Sequence, residues 1–234
     1  MLPEGLRRIL CLALAALCAL FAGACRNAEQ DQRKAFIDFL ETHVVMAAGT
    51  DIVQMSDAIR KKVGNYSRHF DVIATCSKEL RDIDMRLAGE KLRIAAPGPV
   101  PMDKLGSERA RIEQLVAALS RSAQHADAAK AKADAAKTAL KQPEDVQAVF
   151  DKAYEKEVSG YANASLFLYT VQKDFYAEAL RMGVFLEKHR DKIHFKNKTV
   201  IIDEQALLQE YNALQSALQE KAQKMQSALA AGRP

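Results

Sequence analysis

From residue 112 to residue 140 the chain carries one uninterrupted pattern. Ile112, Leu115, Leu119, Ser122, Ala126, Ala129, Ala133, Ala136 and Leu140 follow alternating steps of three and four. Such steps bring every one of these positions onto one helical face and exclude a strand, whose period is two. They form a heptad seam. Its centre is alanine, so a neighbouring helix can approach closely. The pattern predicts one long helix from Ser107 to Lys141. The seam can close inside an intramolecular bundle or pair between chains as a coiled coil.

Shorter segments repeat the helical signature. Phe36, Leu40 and Val44, widened by Ile37 and Phe39, predict a helix ending at Gly49. Thr50 or Asp51 can cap a short segment running to Gly64, and Asn65 can cap the next helix. That helix carries the stripe Phe70, Ile73, Cys76, Leu80, Ile83 and Leu87. Pro97, Gly98, Pro99 and Pro101 mark a loop between helices. Pro143 with Glu144 and Asp145 suits a first helical turn, and Ser159-Gly160 predicts its end. A further helix spans about Ala164 to Lys188, with Leu168, Val171, Phe175, Met182 and Phe185 inward. Ile193-His194-Phe195 and Thr199 to Ile202 flank Lys196-Asn197-Lys198 and predict a β-hairpin. Asp203 can cap the last helix, with the seam Leu207, Tyr211, Leu214, Leu218, Ala222 and Met225. Half the composition is hydrophobic (49%), with only 6% aromatics and no Trp, which suits helices packed through small and aliphatic side chains. The expected fold is all-α: an elongated helical bundle with a long Ala-rich helix and one small β-hairpin near residues 193–202. No internal repeat is evident.

The N-terminus has a different character. Arg7 and Arg8 precede Ile9 to Ala24, an uncharged apolar run ending in Ala22-Gly23-Ala24-Cys25. As a helix this run would reach about 24 Å at ~1.5 Å per residue, short of a bilayer core of ~30 Å. It fits a secretory signal peptide over residues 1–24. Ala22 and Ala24 form an A-x-A cleavage site. The same residues with Cys25 match a bacterial lipobox in which Ala replaces the usual Leu. Both readings cut before Cys25. In the first, the mature protein is soluble in the periplasm; in the second, Cys25 carries a diacylglyceryl thioether and an N-acyl chain and anchors the protein to a membrane. Arg26 in place of Asp then favours the outer membrane, facing the periplasm. Residues 25–30 read as a polar tether and 31–234 as the helical-bundle domain. Cys11 and Cys18 leave with the signal, so Cys76 is a buried free thiol if Cys25 is lipidated; otherwise a Cys25–Cys76 disulfide is open.

Three blocks carry a resemblance to a known family. Asp31-Gln32-Arg33-Lys34-Ala35-Phe36-Ile37-Asp38-Phe39-Leu40 resembles the YiaF-like lipoproteins of proteobacteria. So do Asp134 to Gln142 with Val149-Phe150-Asp151, and Glu210-Tyr211-Asn212. The resemblance extends over the mature chain and is loosest between Gly49 and Pro101. It implies a proteobacterial, lipid-anchored envelope protein. The family is of unknown function, so no catalytic residue follows from it.

The residues themselves offer little chemistry. His43, His69, His125, His189 and His194 stand in no H-E-x-x-H, and no Cys pair accompanies them. His189, Asp191 and His194 are the nearest approach to a ligand cluster, and they read as polar surface, not as a metal site. There is no G-x-S-x-G, no Walker loop and no G-x-G-x-x-G. The formal net charge of +4 falls to +3 when Glu4, Arg7 and Arg8 depart, too little to imply nucleic-acid binding. Lys188, His189, Arg190, Lys192, Lys196 and Lys198 crowd the hairpin, and Arg60-Lys61-Lys62 make a smaller group. The larger patch is either an ordinary solvated loop or a contact for anionic lipid, lipopolysaccharide or peptidoglycan. Asn65-Tyr66-Ser67, Asn163-Ala164-Ser165 and Asn197-Lys198-Thr199 fit the glycosylation pattern, which is incidental in a bacterial lipoprotein. The expectation is a non-enzymatic binding or structural module, without cofactor or metal, held in the cell envelope through lipidated Cys25. The alternative is a soluble periplasmic protein that binds a small ligand or has an unrecognised activity.

Overall fold

A computed structural model describes residues 27–47, 53–94, 101–196 and 199–231. These residues are overwhelmingly helical and carry one two-stranded sheet, as the spacing predicts. Helix α1 covers 27–39 and runs into a π-helical turn, Leu40–Val45. Then come α2 (Asp57–Val63), α3 (Ser67–Ile94), α4 (Arg109–Ala139), α5 (Glu144–Tyr154), a second π turn (Glu155–Gly160) and α6 (Tyr161–Lys188). The hairpin strands β1 (Ile193–Lys196) and β2 (Thr199–Ile202) and helix α7 (Gln205–Ala230) complete the chain.

The chain divides into two compact units, each assembled from two stretches: 1–74 with 136–156, and 75–135 with 157–234. The division falls inside α3 and α4, not at the proline-rich segment.

The first unit packs through rings. Phe36 stacks on Tyr66 at 5.4 Å and meets the edge of His69 at 6.2 Å. Phe39 meets Phe70 edge-on at 5.0 Å, and Phe150 stacks on Tyr154 at 6.1 Å. All six aromatic residues besides His69 are buried. Each such side chain contributes roughly 1.5–3 kcal/mol on leaving water, and offset or edge-on ring pairs add about 0.5–1.5 kcal/mol. Gly64 ends α2 at φ +56°, the left-handed region where a side chain is strained. The carbonyls left free where α1's π turn ends are met from α5's extension: Lys156 Nζ donates to the carbonyl oxygens of Val44 (2.9 Å), Val45 (3.2 Å) and Ala47 (2.6 Å).

The second unit packs through small and aliphatic side chains. The α4 seam turns inward as its spacing requires: Ile112, Leu115, Leu119, Ala126, Ala129 and Ala133 are buried within the single chain. Across from it, the stripe from Cys76 to Leu87 on α3 is buried too. The Cys76 thiol comes within 3.6 Å of the Ala129 carbonyl oxygen, an approach that alanine permits. Gly183 plays the same part on α6. A Cβ there would stand 2.9 Å from the Leu105 carbonyl oxygen, so the backbone turn around Leu105 lies directly on the helix. The hairpin is antiparallel with Ile193 opposite Ile202 and Lys196 opposite Thr199. It seats Ile193, Val200 and Ile202 in a core with Phe185, Leu207 and Tyr211.

Several ends differ from expectation. Gly49, Thr50 and Asp51 lie outside the described residues; α2 is capped instead by Ser56, whose Oγ accepts from Ile59 N. Asn65 sits within a 3₁₀ turn, Gly64–Tyr66, and Ser67 opens α3 by donating to the Gly64 carbonyl. Pro143 is the residue before α5, not its first. Ser159-Gly160 does not end a helix. The chain continues through the π turn, because buried Val158, Tyr161 and Ala162 outweigh the ~1 kcal/mol helix cost of one glycine. Glu204, not Asp203, precedes α7. Residues 27–30, read as tether, already form exposed helix, and Glu29 accepts a 2.7 Å hydrogen bond from Tyr66.

Candidate functional site

Cys25, the residue that the sequence singles out for lipidation, lies outside the described residues, as do Pro97, Gly98, Pro99 and Lys198. Cys76 is buried and free. Burial pushes its thiol up to about 11, with Glu79 and Asp134 adding to the effect, so the thiolate is scarce at neutral pH.

The structure brings together a set of polar residues that no sequence motif announces. On α3, Ser77, Arg81, Asp84 and Lys91 follow the same helical step; Glu157, Tyr161, Ser165, Tyr169 and Gln172 answer them from the second π turn and α6. Ser77 Oγ donates to the Glu157 carbonyl at 2.9 Å. Arg81 pairs with the Glu157 carboxylate at 3.2 Å and lies 4.8 Å above the Tyr161 ring. Asp84 is only 6% exposed. Its Oδ2 accepts from Tyr161 (2.6 Å) and Ser165 (3.3 Å), and its Oδ1 accepts from Tyr169 (2.5 Å). Lys91 donates to Gln172 at the far end. A buried carboxylate is costly unless hydrogen bonds replace its water, and here three hydroxyls at i, i+4 and i+8 do so. The ladder fixes both the register and the rotation of α6 against α3. It buries an acidic side chain with hydrogen-bond partners on both oxygens.

The basic residues near the hairpin do come together at a surface. Lys188, Arg190, Lys192 and Lys196 are exposed. Lys192 pairs with Glu204 at 2.9 Å. His189 leans on the Phe185 ring at 5.0 Å, while His194 is exposed on β1. His189, Asp191 and His194 therefore do not converge, and among the described residues no group of three His, Cys, Asp or Glu side chains is placed to hold a metal. Between α4, α6 and α7, a groove of about 470 Å³ has Leu180, Val184, Phe185 and Leu214 as its apolar wall and Arg109, Arg181, Lys188, Glu113 and Glu210 around its rim. Arg109 is held by Glu113 at 2.8 Å and Arg181 by Glu178 at 3.1 Å. Arg60, in the smaller basic group, pairs with Asp71 at 2.7 Å.

The blocks behind the family resemblance have structural roles. Arg33 forks onto Asp145, with Nε 2.8 Å from both carboxylate oxygens, and holds that carboxyl below its usual range. Asp145 Oδ1 also accepts from Val146 N at 2.7 Å, at the start of α5. Phe36 and Phe39 are core, Gln142 Nε2 lies 3.0 Å from His69 Nδ1, and Tyr211 packs 6.5 Å from Phe185.

What these elements define is a helical domain with a buried carboxylate ladder and a solvent-facing basic hairpin. The chain belongs to a family described as "Protein of unknown function (DUF3053)", which it matches over residues 11–232. It is similar to the uncharacterized protein YiaF of Escherichia coli (strain K12), with 27% identity over 203 residues, 86% of this chain and 84% of the relative. The YiaF proteins of Escherichia coli O157:H7 and Shigella flexneri match to the same extent. No solved structure matches the chain.

Proposed function

We propose that this chain is an exported, lipid-anchored protein of the cell envelope whose helical domain is a non-enzymatic binding or structural module. The observation that carries the reading is the N-terminal sequence: a basic start, an apolar run too short to span a bilayer, and small residues leading to Cys25. Among the described residues no helix is long and apolar enough to cross a membrane, so attachment would rest on Cys25. Helix begins by residue 27, within two residues of that cysteine, so the domain would sit close to the anchoring surface. Arg26 favours the outer membrane, periplasmic side. Mass spectrometry of the mature N-terminus tests this. The expected result is a triacylated Cys25 in the wild type and no acylated species in Cys25→Ala; an unmodified Cys25 ends the anchored reading.

The groove supports a second reading, a soluble periplasmic carrier of a small amphipathic ligand, since it joins an apolar wall to a rim of charged side chains of both signs. Thermal unfolding with and without fatty acids distinguishes the two: a saturable rise in Tm that is lost in Arg181→Glu favours the carrier.

A further inference from the structure

Within the second unit, two contacts fix how α3 faces α4. From Cys76 to Glu90 along α3, the residue met on α4 falls from Ala129 to Arg121, so the helices run antiparallel. At Glu90 the facing pair is a carboxylate and a guanidinium, 3.0 Å apart. One turn back along α3 and one turn on along α4, the same two positions hold Arg86 and His125. Residues four apart share a helical face. These two side chains therefore answer each other as Glu90 and Arg121 do, but neither is an anion.

Both line a recess of about 120 Å³ between the two helices. Buried Ile83, Leu87 and Ala118 make its apolar floor. Ser122 lines it too; it is half-buried and is the one polar residue of the α4 seam between Ile112 and Ala133. Among the described residues, no hydrogen bond or ion pair engages the side chains of Arg86, Ser122 or His125. The nearby acids are already held: Glu90 by Arg121, and Asp82, one turn back from Arg86, by Lys78 at 2.6 Å. Two guanidinium charges stand against one carboxylate at the recess, with a hydroxyl and an imidazole beside them.

Such a concave set of donors lacks an acceptor. The space exceeds the ~10–15 Å³ that holds one water and falls below the ~300–1,000 Å³ of pockets for drug-sized ligands. A small oxyanion matches it in size and in charge. Donors reach the recess from both helices, which suits the several oxygens of a tetrahedral phosphate better than the two of a planar carboxylate.

We propose that this recess binds a phosphate group, with Arg86 as the forked donor, Ser122 and His125 as the donors facing it, and Arg121 as the outer charge. Free phosphate and the headgroup of a phospholipid share this chemistry. The recess shares no lining residue with the groove between α4, α6 and α7, and it does not depend on acylation of Cys25.

The test is a nuclear magnetic resonance titration of the ¹⁵N-labelled full chain carrying Cys25→Ala, at constant ionic strength. Inorganic phosphate should shift the His125 ring and Arg86 Nε signals saturably. Arg86→Gln should weaken binding at least tenfold, the loss of a charge-assisted hydrogen bond. His125→Glu sets an acid opposite Arg86, as Glu90 stands opposite Arg121. It should abolish binding, read at Arg86 Nε, in a protein that remains folded. Arg68→Gln removes the same charge from an exposed position of the first unit and should leave the affinity unchanged. Dihexanoyl phosphatidylglycerol, kept below its micelle concentration, separates the sources. Tighter binding than inorganic phosphate assigns the site to a lipid headgroup, and weaker binding assigns it to free phosphate; either supports the site. Acetate bound as tightly as phosphate overturns the assignment to phosphate. No saturable shift at either side chain, or equal weakening by Arg68→Gln, overturns the site itself. Failure here leaves the acylation result untouched.

Discussion

The two units hold themselves together by different means. The first buries rings against rings: Phe36, Tyr66, Phe39, Phe70, Phe150 and Tyr154. The second has alanines on α4, a glycine under a backbone turn, and a carboxylate caught between helices. Ring packing rewards area and the offset or edge-on geometry of each pair. Alanine and glycine packing rewards close approach but tolerates several helix rotations almost equally. The Asp84 ladder removes that ambiguity, because only one rotation of α6 offers three hydroxyls to one carboxylate. A small-residue interface gains uniqueness from a polar network where an aromatic one gains it from shape.

Substitutions can break this contrast. The largest effects are expected from Asp84→Ala and Phe150→Ala, each costing roughly 3–5 kcal/mol in urea unfolding, the first by stranding buried hydroxyls and the second by opening a cavity. They should differ in rescue. Adding Tyr161→Phe and Tyr169→Phe to Asp84→Ala should recover part of the loss, because the stranded groups disappear. No polar deletion should rescue Phe150→Ala. If the Asp84 double and triple variants prove simply additive, the ladder is not a unit. Next comes Gly183→Ala, about 1–3 kcal/mol by thermal unfolding, since the added methyl meets backbone and cannot be accommodated by a side chain turning aside. Lys156→Met should cost about 1 kcal/mol, as the carbonyls at the end of α1 lose their donor.

The smallest effect concerns pH and belongs to the first unit. Burial lowers the pKa of His69 below its usual value near 6.5. The unfolded chain therefore binds the proton first. Stability is full above pH 6.5 and declines as the pH falls from there toward the lower folded pKa. Unfolding free energy measured between pH 7 and pH 5 should show that decline, and His69→Gln should flatten it.

The helices were legible because burial imposes a period. The stripe on α3 is buried residue for residue, and so is the seam on α4 down to Ala133 apart from half-buried Ser122. The hairpin was legible because β-branched and aromatic residues interrupt an otherwise helical composition. Ends were less so. Ser159-Gly160 resembles a stop, yet a π turn absorbs it; local propensity there was weaker than the packing on either side. The ladder was not legible at all. Ser77, Arg81 and Asp84 form no motif on their helix, and Tyr161 and Tyr169 lie outside the stripe Leu168, Val171, Phe175, Met182 and Phe185 that the spacing selects. The signal was present in the helical spacing of both sets, but only a partner helix reveals that two polar stripes face each other. The basic patch was visible as composition, whereas the pairing of Lys192 with Glu204 within it required the structure.

The ladder also makes a statement about descent. A carboxylate held by three hydroxyls is costly to lose alone, and the hydroxyls are costly to keep once it is gone. Positions 84, 161, 165 and 169 should therefore change together through the family: relatives without an acid at 84 should carry phenylalanine at 161 and 169 and a small apolar residue at 165. Lineages caught between the two sets should be rare. A family tree sorted by residue 84 would then divide into two groups, each with its own internally consistent way of seating α6.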